Sequence, residues 1–446
     1  MKAVIIGAVA AGMSTAAKLK RNLKENVDIH VFEKGDEISY GACGLPFYIS
    51  DTIKEEKDLF AKSVDDFIQS GINLHVFHEV ISVDTDKKLV KVRDIKQNRE
   101  FEESYDVLVI GSGTRPKKVK PLDMPAKNNL SVHSVYESGR IKEYLATESV
   151  KNVVIVGAGF VGLEMLEACA AYGKNITLLQ GTSRIFEVMD EDITDKMEGI
   201  IQAHHITIHK NVTVTSLHLE NELVDGIEFA VDGESLTLPC DLLICSIGTI
   251  TNTEFITSVD KAQNGAIIVD EHMMSSVQDV YAAGDCSIMR SGITGELTYA
   301  PLGTNANKQG RIIADVLAGI KPKPFKLIHS TALKLFDYDI AKVGISKAEG
   351  IKAGMDVEEH KITANSYASY YSSEKLDIKV IYNKKTRVIV GAQLIGQGTV
   401  VPRANYYAIA IYAGLTVDEM GMMDLAYSPP YNGVWDAALI ASNTIK

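Results

Sequence analysis

The sequence has no apolar run of the roughly 18 residues that a helix needs to span a bilayer. It also lacks an excess of positive charge, because 46 Lys and Arg stand against 58 Asp and Glu, a formal net charge of −12. Such an acidic chain is a poor partner for nucleic acid or an anionic membrane. Its five cysteines, an odd number with irregular spacing, argue against a disulfide scaffold. We therefore expect a chain of the reducing cytoplasm, without membrane or nucleic-acid partners.

At 446 residues the chain is too long for one hydrophobic core. Val- and Ile-rich strands alternate with helical stretches, a pattern typical of parallel sheets built from βαβ units. We predict an α/β fold with two Rossmann-like nucleotide-binding domains and a C-terminal α+β dimerisation domain. The predicted bounds are 1–115 together with 252–322 for the first domain, 116–251 for the second, and 323–446 for the third, which begins in the linker-like segment IKPKPFK.

The first glycine-rich loop, GAVAAG from Gly7 to Gly12, lies between strand AVII and a helix. The first glycine permits a tight turn and the last lets helix and strand pack closely, so a pyrophosphate can bind at the helix N-terminus. Val9 replaces the second glycine of the G-x-G-x-x-G pattern, which makes this loop alone a weak signal. Glu33, about 20 residues later at the end of strand VDIHVFE, supplies the carboxylate expected to bind ribose hydroxyls.

The second glycine-rich loop is complete: GAGFVG begins at Gly157, has Gly159 in its middle and ends at Gly162. The strand-end position that often carries Asp or Glu is Gln180, which bonds a ribose hydroxyl without repelling a 2′-phosphate. Arg184 is near enough in sequence to pair with such a phosphate, or it is a solvated turn residue. The sequence therefore leaves NADH and NADPH open.

A third element, VYAAGDC, places Asp285 after a turn of small residues, where an aspartate suits the ribityl chain of a flavin. Together with the first glycine loop this element selects FAD, while the second loop is left for NAD(P)H. Further cofactor contacts are predicted at Lys34, Gly113 and Gly248. No metal site is predicted.

Cys43 is the cysteine with a predicted catalytic role. It lies in SYGACGLP, among small neighbours that leave the thiol accessible, and a helix after it would lower its pKa through the N-terminal dipole. A single thiol beside a flavin can cycle between thiolate and a mixed disulfide or sulfenic acid. Cys169 and Cys286 are predicted to be packing residues. About 16 Å of strand separates Cys240 from Cys245, too far for a disulfide.

The motifs of this chain resemble those of the single-cysteine branch of the pyridine nucleotide-disulfide oxidoreductases, over essentially its whole length. They are GAVAAG, SYGACGLP, GAGFVGLE, VYAAGDC, NKQGR and YSPP. Within the branch the chain is similar to the coenzyme A-disulfide reductases. The resemblance implies a FAD enzyme that uses NAD(P)H to reduce coenzyme A disulfide, or a related persulfide or polysulfide, with Cys43 as the nucleophile.

The resemblance also implies a homodimer whose active sites are shared. Tyr427 of the YSPP motif and Tyr370 would reach the thiol of the partner subunit. Ser372 follows the tyrosine pair where the family has proline, so Tyr371 stays open as an alternative to Tyr370. The implied coenzyme A contacts are Ser14, Lys18, Arg21, Ser39 and Asn307.

Three other functions stay open. NADH oxidases and peroxidases of the superfamily use a cysteine sulfenic acid, but they carry a histidine in the first glycine loop where this chain has Ala10. A reductase of a protein partner would need no thiol, and a nucleotide-sensing flavoprotein would act through binding. Ala42 and Ser70 stand where some family members have a coenzyme A-binding asparagine and lysine. The acceptor therefore stays open among disulfide, persulfide and oxygen.

Overall fold

The computed structural model describes all residues, 1–446. The first part of the chain contains β1 (Lys2–Ile6), α1 (Ala10–Leu23), β2 (Asp28–Phe32), α2 (Leu45–Ile49), α3 (Val64–Gln69), β3 (Asn73–His75), β4 (His78–Asp84), β5 (Leu89–Asp94), β6 (Arg99–Ser104), β7 (Val107–Ile110) and β8 (Thr114–Pro116). The second contains β9 (Asn129–Leu130), α4 (Val135–Ala146), β10 (Asn152–Val156), α5 (Phe160–Ala170), β11 (Asn175–Leu179), α6 (Glu191–Ala203), β12 (Thr207–His209), β13 (Thr213–Glu220), β14 (Leu223–Val231), β15 (Glu234–Pro239), β16 (Leu242–Cys245) and β17 (Thr249–Thr251).

The remaining elements fall into two groups. The chain continues with β18 (Ile267–Ile268), β19 (Val280–Ala282), β20 (Ser287–Arg290), β21 (Leu297–Thr298) and α7 (Gly303–Leu317). It ends with β22 (Thr331–Leu335), β23 (Tyr338–Gly344), α8 (Lys347–Lys352), β24 (Val357–Asn365), β25 (Lys375–Asn383), β26 (Ile389–Gly396), α9 (Val400–Ala413), α10 (Val417–Gly421) and α11 (Ala437–Asn443). None of the helices combines the length and apolar character needed to cross a membrane.

Two five-stranded parallel sheets form the two nucleotide-binding halves. Their strand orders are β19-β7-β1-β2-β3 and β12-β11-β10-β16-β9. The central strands β1, β7 and β10 are buried almost throughout, as expected of parallel sheets covered on both faces. Each half also carries a three-stranded antiparallel sheet, β4-β5-β6 or β13-β14-β15. The predicted pair of Rossmann-like domains is confirmed.

The first half is discontinuous in sequence, because its edge strand β19 follows the whole second half. The chain crosses between the halves twice, at β8 and β17, and these two strands pair antiparallel. Arg115 reinforces the pair through Asn252 (2.8 Å) and Glu254 (2.5 Å). The predicted junctions at 115/116 and 251/252 lie in or next to this ribbon, and we propose them as the domain boundaries.

The C-terminal part is an antiparallel sheet, β22-β23-β26-β25-β24, on which α9 packs, so the predicted α+β domain is confirmed. This domain also contacts the second nucleotide-binding half. Lys379, almost fully buried on β25, donates to Asp190 (2.9 Å) and Asp192 (2.6 Å) at the start of α6. The Gln393 side chain accepts a hydrogen bond from the Asp190 backbone (2.9 Å).

Arg403 on α9 is the largest fully buried side chain of the chain. Its guanidinium donates to the Asp436 carboxylate at 3.0 Å and to the Ser366 carbonyl at 2.8 Å. Asp436 also caps α11 by accepting from the Ala438 backbone at 2.8 Å. One buried ion pair therefore joins α9, the start of α11 and the segment that follows β24.

Replacing Arg403 with methionine is expected to lower the free energy of unfolding by about 3–5 kcal/mol, because Asp436 is left charged and unpaired inside the domain. Urea unfolding at a fixed protein concentration measures the loss. The control is Arg387→Met, which breaks a pair of similar geometry with the exposed Asp418 and should cost less than about 1 kcal/mol. Equal losses in the two variants would contradict the prediction.

Candidate active site

The first glycine loop brings α1 against the end of β1. A Cβ on Gly12 would lie 1.9 Å from the Gly7 carbonyl oxygen, and Gly7 itself has a φ of +96°. Glu33, at the end of β2, accepts hydrogen bonds from the backbones of Ala8 (2.8 Å) and Gly35 (3.1 Å). The carboxylate is thus fixed beside the loop, at the carboxyl edge of the sheet, where nucleotides bind in such folds.

The second glycine loop repeats this geometry. A Cβ on Gly162 would lie 1.9 Å from the Gly157 carbonyl oxygen, and Gly157 has a φ of +103°. Gly159 is exposed, and a Cβ added there meets no atom within 4 Å. Gln180, at the end of β11, accepts from the Ala158 backbone at 3.0 Å.

The predicted flavin contacts surround open space. Gly113 and Gly248 have positive φ angles, and a Cβ on either would meet no atom within 4 Å. The Asp285 carboxyl is largely enclosed, burial raises its pKa, and no protein group donates a hydrogen bond to it. An enclosed carboxyl without a donor fits the hydroxyls of a bound polyol such as a ribityl chain. Lys34, by contrast, pairs with Glu79 at 2.8 Å.

Cys43 lies in a single 3₁₀ turn, Ala42–Gly44, and its side chain is exposed. The turn is held by the Gly41 backbone, which donates to the Leu59 carbonyl at 2.9 Å. Just before it, the Ser39 backbone donates to the Ala8 carbonyl at 2.8 Å, which ties the cysteine segment to the first glycine loop. All five cysteines are free thiols, and the other four are buried or half-buried: Cys169, Cys240, Cys245 and Cys286. The burial of Cys169 and Cys286 agrees with their predicted packing role, and Cys240 and Cys245 form no disulfide although both pack on the same apolar cluster.

The surrounding protein raises the pKa of the Cys43 thiol. The largest cause is exclusion of water, followed by the negative charges of Glu164 and Asp285. The predicted lowering by a helix dipole is wrong, because the helix that follows, α2, has five residues and begins two positions later at Leu45. Two nearby carboxylates and partial desolvation outweigh any such dipole.

Glu164 is the functional candidate that the sequence analysis missed. It lies in the first turns of α5, next to the second glycine loop, and burial raises the pKa of its carboxyl to about 7. Because α5 packs against α2, this residue of the second half acts on a thiol of the first. A carboxyl with this pKa can hold or release a proton near neutral pH. The motif GAGFVGLE contains Glu164, but its position on a helix gave no sign of contact with Cys43.

The two predicted tyrosines meet at the surface of the C-terminal domain. Their hydroxyls are 3.1 Å apart, and Tyr370 and Tyr427 are 76% and 44% exposed. The hydrogen bond between them raises the pKa of Tyr427, which therefore keeps its proton near neutral pH. Tyr371, the alternative, packs beside Tyr367 instead. Neither paired hydroxyl bonds the Cys43 segment of its own chain.

Most of the implied coenzyme A contacts share one face, because α1 and α7 pack side by side. Ser14 donates to the Asn307 side chain at 2.5 Å, and Lys18 pairs with Asp315 at 2.5 Å. Arg21 is exposed and has no carboxylate partner, whereas Asp315 partly neutralises Lys18. No local sequence pattern predicts this ion pair, because it joins residues almost 300 positions apart.

Two family models match the chain. Residues 1–310 match the pyridine nucleotide-disulphide oxidoreductase model, and residues 330–439 match the dimerisation domain of the same enzymes. Together the two matches cover nearly the whole chain.

Individual relatives match over the full length. The NAD(P)H coenzyme A polysulfide/persulfide reductase of Pyrococcus horikoshii is 32% identical, over 100% of this chain and 98% of its own. The coenzyme A disulfide reductase of Staphylococcus aureus is 29% identical (97% and 96%), and an NADH oxidase of Enterococcus faecalis is 28% identical (98% and 97%). The crystal structure of reduced Bacillus anthracis CoADR-RHD superimposes with a TM-score of 0.93 at 28% identity, over 99% of this chain and 79% of its own.

Substitution of Glu164 by glutamine is expected to lower the pKa of Cys43. The charge of Glu164 raises that pKa, so its removal shifts alkylation of Cys43 by iodoacetamide to lower pH. Peptide mass spectrometry of the reduced protein, alkylated across a pH series, gives the midpoint at this one cysteine. Glu148→Gln, which removes the same charge from an exposed loop, should leave the midpoint in place. A midpoint unchanged in Glu164→Gln would show that this carboxyl does not act on the thiol.

Proposed function

The chain belongs to the pyridine nucleotide-disulphide oxidoreductase family, and we propose that it reduces coenzyme A disulfide, or a related persulfide or polysulfide, with NAD(P)H. The observation that carries this proposal is the exposed single thiol of Cys43 beside two nucleotide loops. The other cysteines are buried or half-buried and all are free, so a dithiol mechanism has no second partner. Five free thiols also suit a cytoplasmic location.

The residues present fit both cofactors of the family. FAD would be held by the first loop with Glu33 and by Asp285, whose enclosed carboxyl has no donor in the protein. The reduced nicotinamide nucleotide would be held by the second loop with Gln180. When bound, the flavin supplies the two-electron chemistry that connects the nicotinamide to the thiol.

Cys43 carries the covalent chemistry. Its thiolate attacks one sulfur of the substrate disulfide, a Cys43–sulfur bond forms, and the other half leaves as a thiol. Two electrons from NAD(P)H then cleave the mixed disulfide, which frees the second thiol and restores the Cys43 thiolate. Each turnover consumes one NAD(P)H and one proton and gives two thiols. We propose that Glu164 takes the Cys43 proton, since its pKa of about 7 is suited to proton exchange at neutral pH.

The match to a dimerisation domain indicates a homodimer. We propose further that Tyr370 and Tyr427 of one subunit serve the Cys43 of the other. Both side chains are exposed, and neither hydroxyl bonds the Cys43 segment of its own chain. Large apolar side chains of the same domain are exposed as well, as expected of a surface that a second copy covers: Met422, Tyr431, Val434 and Trp435. The protonated Tyr427 hydroxyl is suited to donate to the leaving thiolate.

An NADH oxidase that uses a Cys43 sulfenic acid is the second candidate, because relatives of that name match the chain equally fully. Ala10, which begins α1 in the first glycine loop, offers no proton donor for oxygen chemistry there. Rapid NAD(P)H consumption in air without any disulfide would favour the oxidase. Consumption that depends on added coenzyme A disulfide would favour the reductase.

The substitution Cys43→Ser should separate the two thiol-dependent functions, disulfide reductase and NADH oxidase, from the reduction of a protein partner, which needs no thiol. We expect NAD(P)H to bleach the flavin absorbance as before, while reduction of coenzyme A disulfide falls by roughly 10³-fold or more, as on loss of a nucleophile. Stopped-flow absorbance measures the first step and steady-state thiol release measures the second. The control is Cys245→Ser, which removes a half-buried thiol and should keep full activity. Full thiol release by Cys43→Ser would show that disulfide reduction does not use this cysteine.

Dimers that combine two different variant subunits should test whether the active site is shared between subunits. A Cys43→Ser subunit retains both tyrosines, and a subunit with Tyr370→Phe and Tyr427→Phe retains the thiol. If the tyrosines act across the dimer, each mixed dimer has one intact site, and random exchange of equal amounts restores about a quarter of wild-type activity. If they act within their own subunit, no mixed dimer contains an intact site, and the activity stays at the level of the parent variants.

A further inference from the structure

The two glycine loops differ in the charge of one side chain. Glu33 accepts a hydrogen bond from the Ala8 backbone at 2.8 Å, and Gln180 accepts one from the Ala158 backbone at 3.0 Å. Each follows the strand that comes after its glycine loop and helix, β2 or β11, so the two side chains occupy matching places. The first loop therefore presents a carboxylate to a ribose, and the second presents a neutral amide.

Both donor hydrogens of the Gln180 amide are engaged by its own chain. Its oxygen accepts from Ala158, and its nitrogen donates to the Thr182 hydroxyl at 2.7 Å and the Arg184 carbonyl at 3.0 Å. A carboxylate here would be a free acceptor for both ribose hydroxyls of NADH. The Gln180 amide nitrogen instead donates both of its hydrogen bonds to the turn that follows it.

That turn presents a cation without a partner. Arg184 is half-buried, and its guanidinium has neither a carboxylate within 4.0 Å nor a hydrogen-bond acceptor, whereas its backbone is fixed by Gln180 and Thr182. Lys210, the other cation at this strand edge, is held by both oxygens of Glu198 at 2.9 Å. The exposed hydroxyl residues Thr182 and Ser183 directly precede Arg184 in the chain.

We propose that the second loop binds NADPH in preference to NADH, with Arg184 binding the ribose 2′-phosphate. A planar guanidinium forms paired, charge-assisted hydrogen bonds to a phosphate. The amide of Gln180 removes the like-charge repulsion that a carboxylate would impose on that phosphate. The inference rests on the proposed NAD(P)H-dependent function and deepens it by naming which nucleotide is bound.

Binding of nucleotide fragments tests the proposal without catalysis. The holoprotein is titrated calorimetrically with 2′,5′-ADP and with 5′-AMP, which differ in the 2′-phosphate, while saturating coenzyme A occupies the proposed disulfide site. Wild type should bind 2′,5′-ADP tighter by roughly 10-fold to 100-fold, the range for hydrogen bonds to a charged group. Arg184→Met should abolish most of this ratio, and Gln180→Glu should weaken 2′,5′-ADP but not 5′-AMP.

Lys151→Met is the matched control, because it removes an exposed cation before β10, at the opposite end of the same sheet. It should keep the wild-type ratio, and Arg184→Lys should keep part of it. Equal affinities of the two fragments for wild type would overturn the proposal. Equal weakening of both fragments by Arg184→Met would overturn the role of Arg184, since the side chain would then serve the loop and not the phosphate.

A second measurement tests the NADPH preference separately from the proposed disulfide reductase function. Anaerobic bleaching of the flavin by NADPH and by NADH, without an acceptor, should be faster at low concentration with NADPH, and Arg184→Met should remove that difference. Neither measurement uses a disulfide. A protein that reduces no disulfide but shows the 2′-phosphate effect would refute the reductase function alone, and a reductase without the effect would refute the NADPH preference alone.

Discussion

The fold depends on the close approach of a helix to a strand at two places. At Gly12 and at Gly162 a single added carbon would lie 1.9 Å from the carbonyl oxygen of the glycine five positions earlier. No side chain fits there, so each helix begins directly over the end of its strand. That position fixes where a pyrophosphate can sit and where the strand-end residue can reach the ribose. Every other part of the candidate site is arranged around these two contacts.

Much of this architecture could be predicted, because the rules involved are local. The glycine spacing and the Val- and Ile-rich strands predicted both parallel sheets. Val9, which breaks the glycine pattern, has a φ of −105°, outside the left-handed region that favours glycine. Gly7, with its φ of +96° and its close contact with the Gly111 carbonyl, has no such freedom. The pattern therefore loses a glycine at the position where the backbone does not require one.

The environment of Cys43 could not be predicted, because it is assembled from distant parts of the chain. Glu164 lies in the second nucleotide-binding half. Asp285 lies in the part of the first half that follows the second half in sequence. The thiol pKa is raised by these contacts, whereas the helix that follows Cys43 in sequence predicts a lowered value. The same limit applies to Lys18, whose charge is partly offset by Asp315 on a helix that sequence patterns could not place beside it. Local sequence patterns thus define the two nucleotide-binding folds, whereas contacts between domains define the pKa of the Cys43 thiol.

The two crossings between the nucleotide-binding halves have a mechanical consequence. Since β8 and β17 are hydrogen-bonded side by side, the two crossings form one ribbon, and a displacement of either strand is transmitted to the other. The second half is also held by the C-terminal domain, through the Lys379 ion pairs and through a buried apolar cluster that includes Leu335 and Ile340. The second half is thus attached at two separate places, and burial of the second attachment makes it insensitive to dissolved salt.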